Sequence, residues 1–397
     1  PPRPKGQNHA RGPPSSLATQ GGGTYTLGIV AHREHRLGDA SRVAVVGGGP
    51  AGSFFAIHLL SLARREGFAP QVDIYEPKDF TLAGPRGCNR CAGILSASLV
   101  ENMKVLGLEP PPEVVQARIQ TYSLHSPFGT IEVENPAPEK EILSVYRGAG
   151  PLCSALPSSV SFDAFLLGQA KKAGTRVLPE RVEEVRVRPA PAVKAGGDWL
   201  GYDLVVLASG VNSPPLPVEG AAYQRPPLHP MAQDELAASP EDIAQAFGPR
   251  VRVFLLPRSD LVFGTLVPKG SFVNVSLLGA RHIPSVAEFL EHPLVKKALP
   301  FPYLRVCGCR SYISLGQAMD PVGPGFVAVG DAGGTRLYKD GIGAALLTSR
   351  RAANVAVHFG ISGEAFSRHY LPFLRAVHRD NRLGQAIFAV HHRLKDT

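Results

Sequence analysis

The stretch RVAVVGGGPAGSFFAIHLLSLARREGFAPQVDIYEP, Arg42 to Pro77, carries the reading of the fold. Val43 to Val46 is a short β-branched run of the kind found in buried parallel strands. Gly47-Gly48-Gly49-Pro50-Ala51-Gly52 follows and fits the spacing GxGxxG. In that pattern Gly47 permits a tight turn, Gly49 lets a pyrophosphate approach the backbone, and Gly52 lets the next helix pack against the strand. A helix is expected from Ala51 to Arg65, with its N-terminal amides turned to the phosphates. A second strand, Val72 to Tyr75, ends at Glu76, where a carboxylate receives a ribose hydroxyl. The glycines alone carry little weight, but the complete strand, glycine turn, helix, strand and acid in order point to an adenine dinucleotide.

Two further blocks bear on which dinucleotide. Phe326 to Asp331 reads FVAVGD, a strand closing on Gly330 and Asp331, and a helix opens later at Gly341-Ile342-Gly343. An aspartate at such a strand end accepts hydrogen bonds from a ribityl chain, and a helix N-terminus stabilises negative charge on a reduced ring. Tyr202 to Ser213, YDLVVLASGVNS, is an apolar strand ending at Ser209-Gly210. No second GxGxxG follows a strand, so a separate NAD(P)H domain is not expected.

In this order and spacing the three blocks resemble the FAD-dependent oxidoreductases of the aromatic-hydroxylase and geranylgeranyl-reductase group, over most of Arg42 to Val357. The resemblance implies that Gly47, Gly49, Gly52 and Glu76 hold the ADP half of FAD, with Pro50 and Ala51 also cofactor-binding. It places Asp331 at the ribityl and phosphate region and Gly341 and Gly343 at the isoalloxazine, with Gly210, Gly330 and Ile342 among the further cofactor-binding residues. Gly87-Cys88-Asn89-Arg90-Cys91-Ala92-Gly93 fits the GxxxCxG signature of geranylgeranyl reductases, with Cys88 additional. Phe263 to Lys269 keeps the Pro-Lys ending of their YxWxFPK strand without its aromatic spacing, and Tyr338 stands where their last block carries Pro. The chain is therefore similar to a divergent geranylgeranyl reductase.

The fold class expected is α/β: a Rossmann-like, GR2-type FAD-binding domain with an inserted antiparallel β-sheet substrate domain and C-terminal helices. The FAD-binding domain takes residues 42–116, 155–215 and 305–355, and the substrate domain 117–154 and 216–304. Residues 356–397 form the C-terminal helices, and 1–41, rich in Pro, Gly, Ser and Arg, a disordered extension without a secretory core. Ala117 to Asn135, Glu141 to Arg147 and Val251 to Leu278 read as antiparallel strands, and Phe162 to Gly174 as an amphipathic helix. A helix near Ser98 is expected, with Glu101 completing a capping box.

Composition fits a globular chain: of 397 residues, 44% are hydrophobic and 19% charged. Apolar runs break well before the about 18 residues a membrane helix needs. The net charge of +9 suits an anionic cofactor or surface, and no basic run interleaved with aromatics points to nucleic acid. Five cysteines are too few for a secreted disulfide scaffold. Four occur as pairs, Cys88 with Cys91 and Cys307 with Cys309. Three readings stay open: a zinc or iron–sulfur site on these four thiolates, a dithiol exchanging electrons with the flavin and favoured by Arg86, Arg90 and Arg310, or small residues packing a loop over the ring.

The resemblance implies reduction of an unsaturated, isoprenoid-like substrate by hydride transfer from reduced flavin, with NAD(P)H or another reductant as electron donor. Cys91, Cys88, Tyr338 and Lys339 are the candidate catalytic residues, and His125, His229 and His282 further candidate acids. Arg147 is a candidate for an anionic substrate head. Alternatives are a flavin monooxygenase and an FAD electron-transfer protein with a four-cysteine centre. The partners expected are a small, lipid-like substrate and a redox protein. From Thr335 onward ten Lys or Arg stand against four Asp or Glu, which adds peripheral contact with a membrane surface to a cytoplasmic location.

Overall fold

The computed structural model describes residues 36–336 and 340–394. Val43, Ala44 and Val45 are fully buried because the strand Arg42–Val46 lies in the middle of a six-stranded sheet. The sheet order is Val322–Gly323, Phe326–Ala328, Leu204–Leu207, Arg42–Val46, Gln71–Tyr75, Arg176–Leu178. All neighbours are parallel except the first pair. Such a strand has no solvated face, which explains its unbroken apolar run.

Alternation along these strands feeds two cores. Val43, Val45, Val72, Ile74, Leu204 and Val206 pack with the helices Pro50–Arg65, Phe162–Lys172 and Gly341–His358. Ala44, Val46, Tyr75, Val205 and Leu207 pack on the other side with a small sheet of Asp198–Gly201, Ala192–Ala195, Val182–Arg186 and Val218–Glu219. The result is three layers: helices, parallel sheet, antiparallel sheet. Asp73 is buried inside this stack and is satisfied there. Arg176 donates to it twice at 2.8 Å, and the Tyr202 hydroxyl once at 2.8 Å.

A seven-stranded sheet faces the dinucleotide-type layer stack. Its order is Leu304–Ser314, Leu228–Ala237, Phe272–Gly279, Leu261–Lys269, Arg250–Phe254, Thr121–Ser126, Gly129–Glu134. It is antiparallel apart from the pair Arg250–Phe254 with Thr121–Ser126. One face, with Leu236, Leu266, Val273, Val275 and Leu277, is covered by the helices Pro240–Phe247, Val286–Glu291 and Pro293–Ala298. A three-stranded sheet has the order Ile94–Leu95, Ile142–Val145, Val115–Ile119.

Several expected boundaries fall elsewhere. Position 305 lies inside the strand Leu304–Ser314, which pairs along Leu228–Ala237, so the chain stays with the seven-stranded sheet until Ser314. The 355/356 boundary lies inside the helix Gly341–His358, which is followed by Gly363–His369 and Leu371–Leu394. Glu141 to Arg147 supplies the strand Ile142–Val145, but it pairs with Ile94–Leu95 and Val115–Ile119. The helix expected near Ser98 is Ala97–Val105, and Ser96 caps it by accepting from the Leu99 amide. Residues 1–35, most of the expected extension, lie outside the described residues. Within 36–41, Leu37 is buried in the helical core and Asp39 accepts from the Ala69 amide at 2.8 Å. No helix among the described residues is long and apolar enough to cross a membrane.

Candidate cofactor and substrate site

The ends of the parallel strands open onto a cleft of about 510 Å³. Gly47 turns the chain at φ +109°, and a Cβ there would stand 2.6 Å from the carbonyl oxygen of Ala208 on the neighbouring strand end. Gly52 admits no side chain either, because its Cβ would lie 1.9 Å from the Gly47 oxygen. Gly49 differs: the nearest atom a Cβ would meet is Asn89 Nδ2 at 3.6 Å, so its cleft side is open. Pro50 begins the helix, where its missing N–H costs nothing. The amides of the first turn have no partner within the helix and suit an anion. This cradle fits a pyrophosphate.

Gly47, Gly49, Pro50, Ala51 and Glu76 all line the cleft. Glu76 Oε2 accepts from the Gly48 amide at 2.8 Å and Oε1 from the Lys78 amide at 2.9 Å. Burial pushes its carboxyl above the usual range, against those two amides. Gly210, at φ +68°, lines a lip of the cleft that follows the strand Leu204–Leu207. Asn212 ties that lip to the seven-stranded sheet, donating to the Tyr312 oxygen at 3.1 Å and accepting from its amide at 2.8 Å.

The third block closes the cleft. Asp331, Gly341 and Ile342 line it. Gly330 and Gly343 do not; Gly330 donates to Thr348 Oγ1 at 2.9 Å and so joins the strand end to the Gly341–His358 helix. Burial raises the Asp331 carboxyl, and the charge of Arg147 works against that rise. Tyr338 and Lys339 lie outside the described residues. Six cations border the cleft, Lys78, Arg86, Arg90, Arg147, Arg181 and Arg336, against the carboxylates Glu76 and Asp331. That excess favours a polyanionic ligand.

The segment Arg86 to Gly93 packs backbone against backbone. At Gly93, φ +69°, a Cβ would stand 2.0 Å from the Val145 oxygen and 3.2 Å from Lys269 Nζ. Lys78 Nζ donates at 3.0 Å to the Cys88 oxygen and at 3.0 Å to Asn89 Oδ1, while Asn89 Nδ2 donates to Asp163. Arg147 grips the same Asp163 through Nε at 2.5 Å and Nη2 at 2.9 Å. Burial opposes the Arg147 charge, but Asp163 outweighs it and the guanidinium is held above its ordinary range. Arg147 thus lines the cleft with a carboxylate already in its grip.

Of the four paired cysteines, Cys91 lines the cleft and the other three do not. Cys88 Sγ accepts from the Arg90 amide and Cys91 Sγ from the Gly93 amide, so each sulfur closes a local turn. Cys307 Sγ accepts from the Leu152 amide at 2.9 Å, and the Cys309 thiol donates to Gln233 Oε1 at 3.8 Å. All five cysteines are free. Among the described residues no group of three or more His, Cys, Asp or Glu side chains is placed to hold a metal. Burial pushes the Cys88 thiol up, Cys307 to about 11 and Cys309 to about 12. Thiols held protonated are poor nucleophiles.

None of the three histidines lines the cleft. His125 stacks on Phe254 at 4.9 Å on a remote strand, burial lowers His229, and His282 borders a shallow depression elsewhere. Sequence reasoning missed Gln233 and Met231, which carry the seven-stranded sheet into the cleft. Strand alternation was the available signal, since both residues share a face. Behind Gln233 lies a buried ion pair, Lys269 Nζ to Glu235 Oε1 at 3.9 Å. Burial raises the Glu235 carboxyl, and Lys269 and Asn274 act against that rise.

No family model matches the chain, and no curated protein matches it. Solved structures do. One is p-nitrophenol 4-monooxygenase PnpA from Pseudomonas putida DLL-E4, with TM-score 0.60 and 15% identity over 91% of this chain and 94% of that one. Another is the tetrameric form of 2-methyl-3-hydroxypyridine-5-carboxylic acid oxygenase, with TM-score 0.59 and 16% identity over 89% and 93%. A third is CtdE in complex with FAD, with TM-score 0.56 and 15% identity over 89% and 100%. At such identities the likeness concerns the fold, and two of the three are named as oxygenases rather than as the reductases that the signature residues resemble. The chain has the mixed α/β, Rossmann-like fold of FAD-binding flavoproteins.

Proposed function

We propose that this cleft binds FAD and that the protein is an FAD-dependent oxidoreductase, with oxygenation of a small organic molecule as its reaction. The observation that carries the reading is the meeting of three blocks far apart in sequence on one cleft, opposite a separate sheet. Gly47, Gly49, Pro50, Ala51, Gly52 and Glu76 would hold the ADP half, Gly210 and Asp331 the ribityl region, and Gly341 and Ile342 the ring. When bound, FAD supplies the electron transfer and the activation of oxygen. The chain's own residues do the rest. Helix N-termini and cations receive the phosphates, Arg147 and Asp163 hold the Cys88–Cys91 loop against the cleft, and the seven-stranded sheet presents the substrate. Oxygenation is favoured over isoprenoid reduction because similar folds carry oxygenase names. Reduction remains the second reading, supported by Cys91, Gly93, Pro268 and Lys269 in the reductase-like pattern. NAD(P)H from solution is the donor in either case.

Oxygen dependence separates the two. Holoprotein given NAD(P)H in air without substrate should consume oxygen and release hydrogen peroxide. Oxidation of NAD(P)H that needs an added alkene and proceeds equally without oxygen would replace this reading with the reductase.

A further inference from the structure

We infer that the substrate is a largely apolar molecule bearing a hydrogen-bond donor, and that Gln233 Oε1 is the acceptor that selects it. This rests on the reading of the cleft as a flavin site.

The seven-stranded sheet has two unlike faces. The helix-covered face is apolar. On the other face, alternation brings Met231, Gln233 and Glu235 from Leu228–Ala237 beside Leu278, Ser276 and Asn274 of Phe272–Gly279. Met231 and Leu278 form an apolar patch with Phe263 and Ile313, and Met231, Gln233 and Ile313 reach the cleft. A polar ladder runs inward from there. Gln233 Nε2 donates to Ser276 Oγ at 3.1 Å, Ser276 Oγ donates to Asn274 Oδ1 at 2.8 Å, and Asn274 Nδ2 donates to Glu235 Oε1 at 2.8 Å. Gln233, Ser276 and Asn274 are all buried.

The inner end dictates the direction of every rung. Lys269 is buried, and the carboxylate of Glu235 is its counter-charge at 3.9 Å. An ionised carboxylate only accepts. Asn274 must therefore offer it Nδ2, which turns Oδ1 to Ser276. The single hydroxyl proton of Ser276 goes to that oxygen, so Ser276 can only accept from Gln233. Gln233 must present Nε2 inward, and its carbonyl Oε1 is left to the outer side. There the Cys309 thiol, a weak donor at 3.8 Å, is its partner. A buried acceptor with so weak a donor gains from a ligand O–H or N–H and penalises a ligand without one. The neighbouring Met231 and Ile313 suit the apolar remainder.

Matched probes test this: 2-naphthol against 2-methoxynaphthalene, and indole against 1-methylindole, titrated into holoprotein by the change in flavin absorbance and by ligand-observed NMR. The donor-bearing member of each pair should bind about 10-fold tighter or more. In Gln233→Leu, with FAD content unchanged, the ratio should fall to about one. The double variant Lys269→Met with Glu235→Gln leaves Gln233 in place and frees the ladder to reverse, and should lower the ratio as well. Equal binding within pairs, a preference that survives Gln233→Leu, or a fully FAD-loaded protein that takes up neither donor-bearing probe would overturn the inference. A wild-type protein that folds and takes up no FAD would overturn the cofactor reading, and this one with it.

Discussion

Asp163 receives Nε and Nη2 of Arg147 at 2.5 and 2.9 Å, with Asp163 fully buried and the Arg147 side chain 9% exposed. Asp163 stands in the first turn of the Phe162–Lys172 helix, and Arg147 follows the strand Ile142–Val145. The pair therefore joins the helical layer to the sheet beside the cleft. Asn89 donates to the same carboxylate, which brings the Cys88–Cys91 loop under its control.

Removing one partner leaves a buried charge without compensation. Arg147→Ala or Asp163→Ala should each lower stability by about 3–5 kcal/mol, read from denaturant unfolding. The double variant Arg147→Met with Asp163→Leu should lose less than either single change, because no charge is stranded. A double variant that loses the sum of the two would show that the pair is not acting as a unit.

The thiols should react unequally. With Cys307 near 11 and Cys309 near 12, their thiolate fractions at pH 8 are about 10⁻³ and 10⁻⁴. Cys153 is exposed. Native protein treated with iodoacetamide at pH 8 should carry label on Cys153 first, with Cys307 and Cys309 labelled more than about 10-fold more slowly, as read by peptide mass spectrometry. Uniform labelling would contradict their burial. The same shifts imply stability that is complete below about pH 8.5 and is lost as pH rises toward the folded values, since the unfolded thiols ionise first.

The cofactor cleft was legible because each of its residues answers a local demand. Val43 to Val46 has no polar residue because both faces of its strand are covered, and Gly47 and Gly52 stand where carbonyl oxygens leave no room for a Cβ. The Gln233 ladder was not legible, because its members come from two strands whose register no single segment reveals. The surroundings of the cysteine pairs were not legible for a related reason. CxxC and CxC spacing suggests a joint site, yet in space each sulfur accepts a nearby amide or donates to Gln233. Leu304–Ser314 was divided at 305 because its mixed pattern reads as a connection, and only pairing with Leu228–Ala237 shows it to be one strand.

Acid should expose a buried histidine. His58 lies in the Pro50–Arg65 helix, 5% exposed, and burial, with the charge of Arg350, lowers it from 6.5 to about 4. Its neutral form is the one the fold tolerates, so its contribution is complete above pH 6.5 and is lost as pH falls toward 4. The wild type should lose about 3 kcal/mol over that window relative to His58→Leu, measured as the difference between their unfolding free energies at each pH. Parallel curves would mean that His58 is not the titrating group.

Uptake of FAD tests the central claim most directly. Purified protein is incubated with FAD, freed of excess by gel filtration, and its visible spectrum and flavin content are measured beside those of Gly52→Val. The account predicts equimolar FAD in the wild type and little or none in the variant, whose side chain would meet the Gly47 oxygen. A wild-type chain that is folded by circular dichroism and emerges without flavin would contradict it.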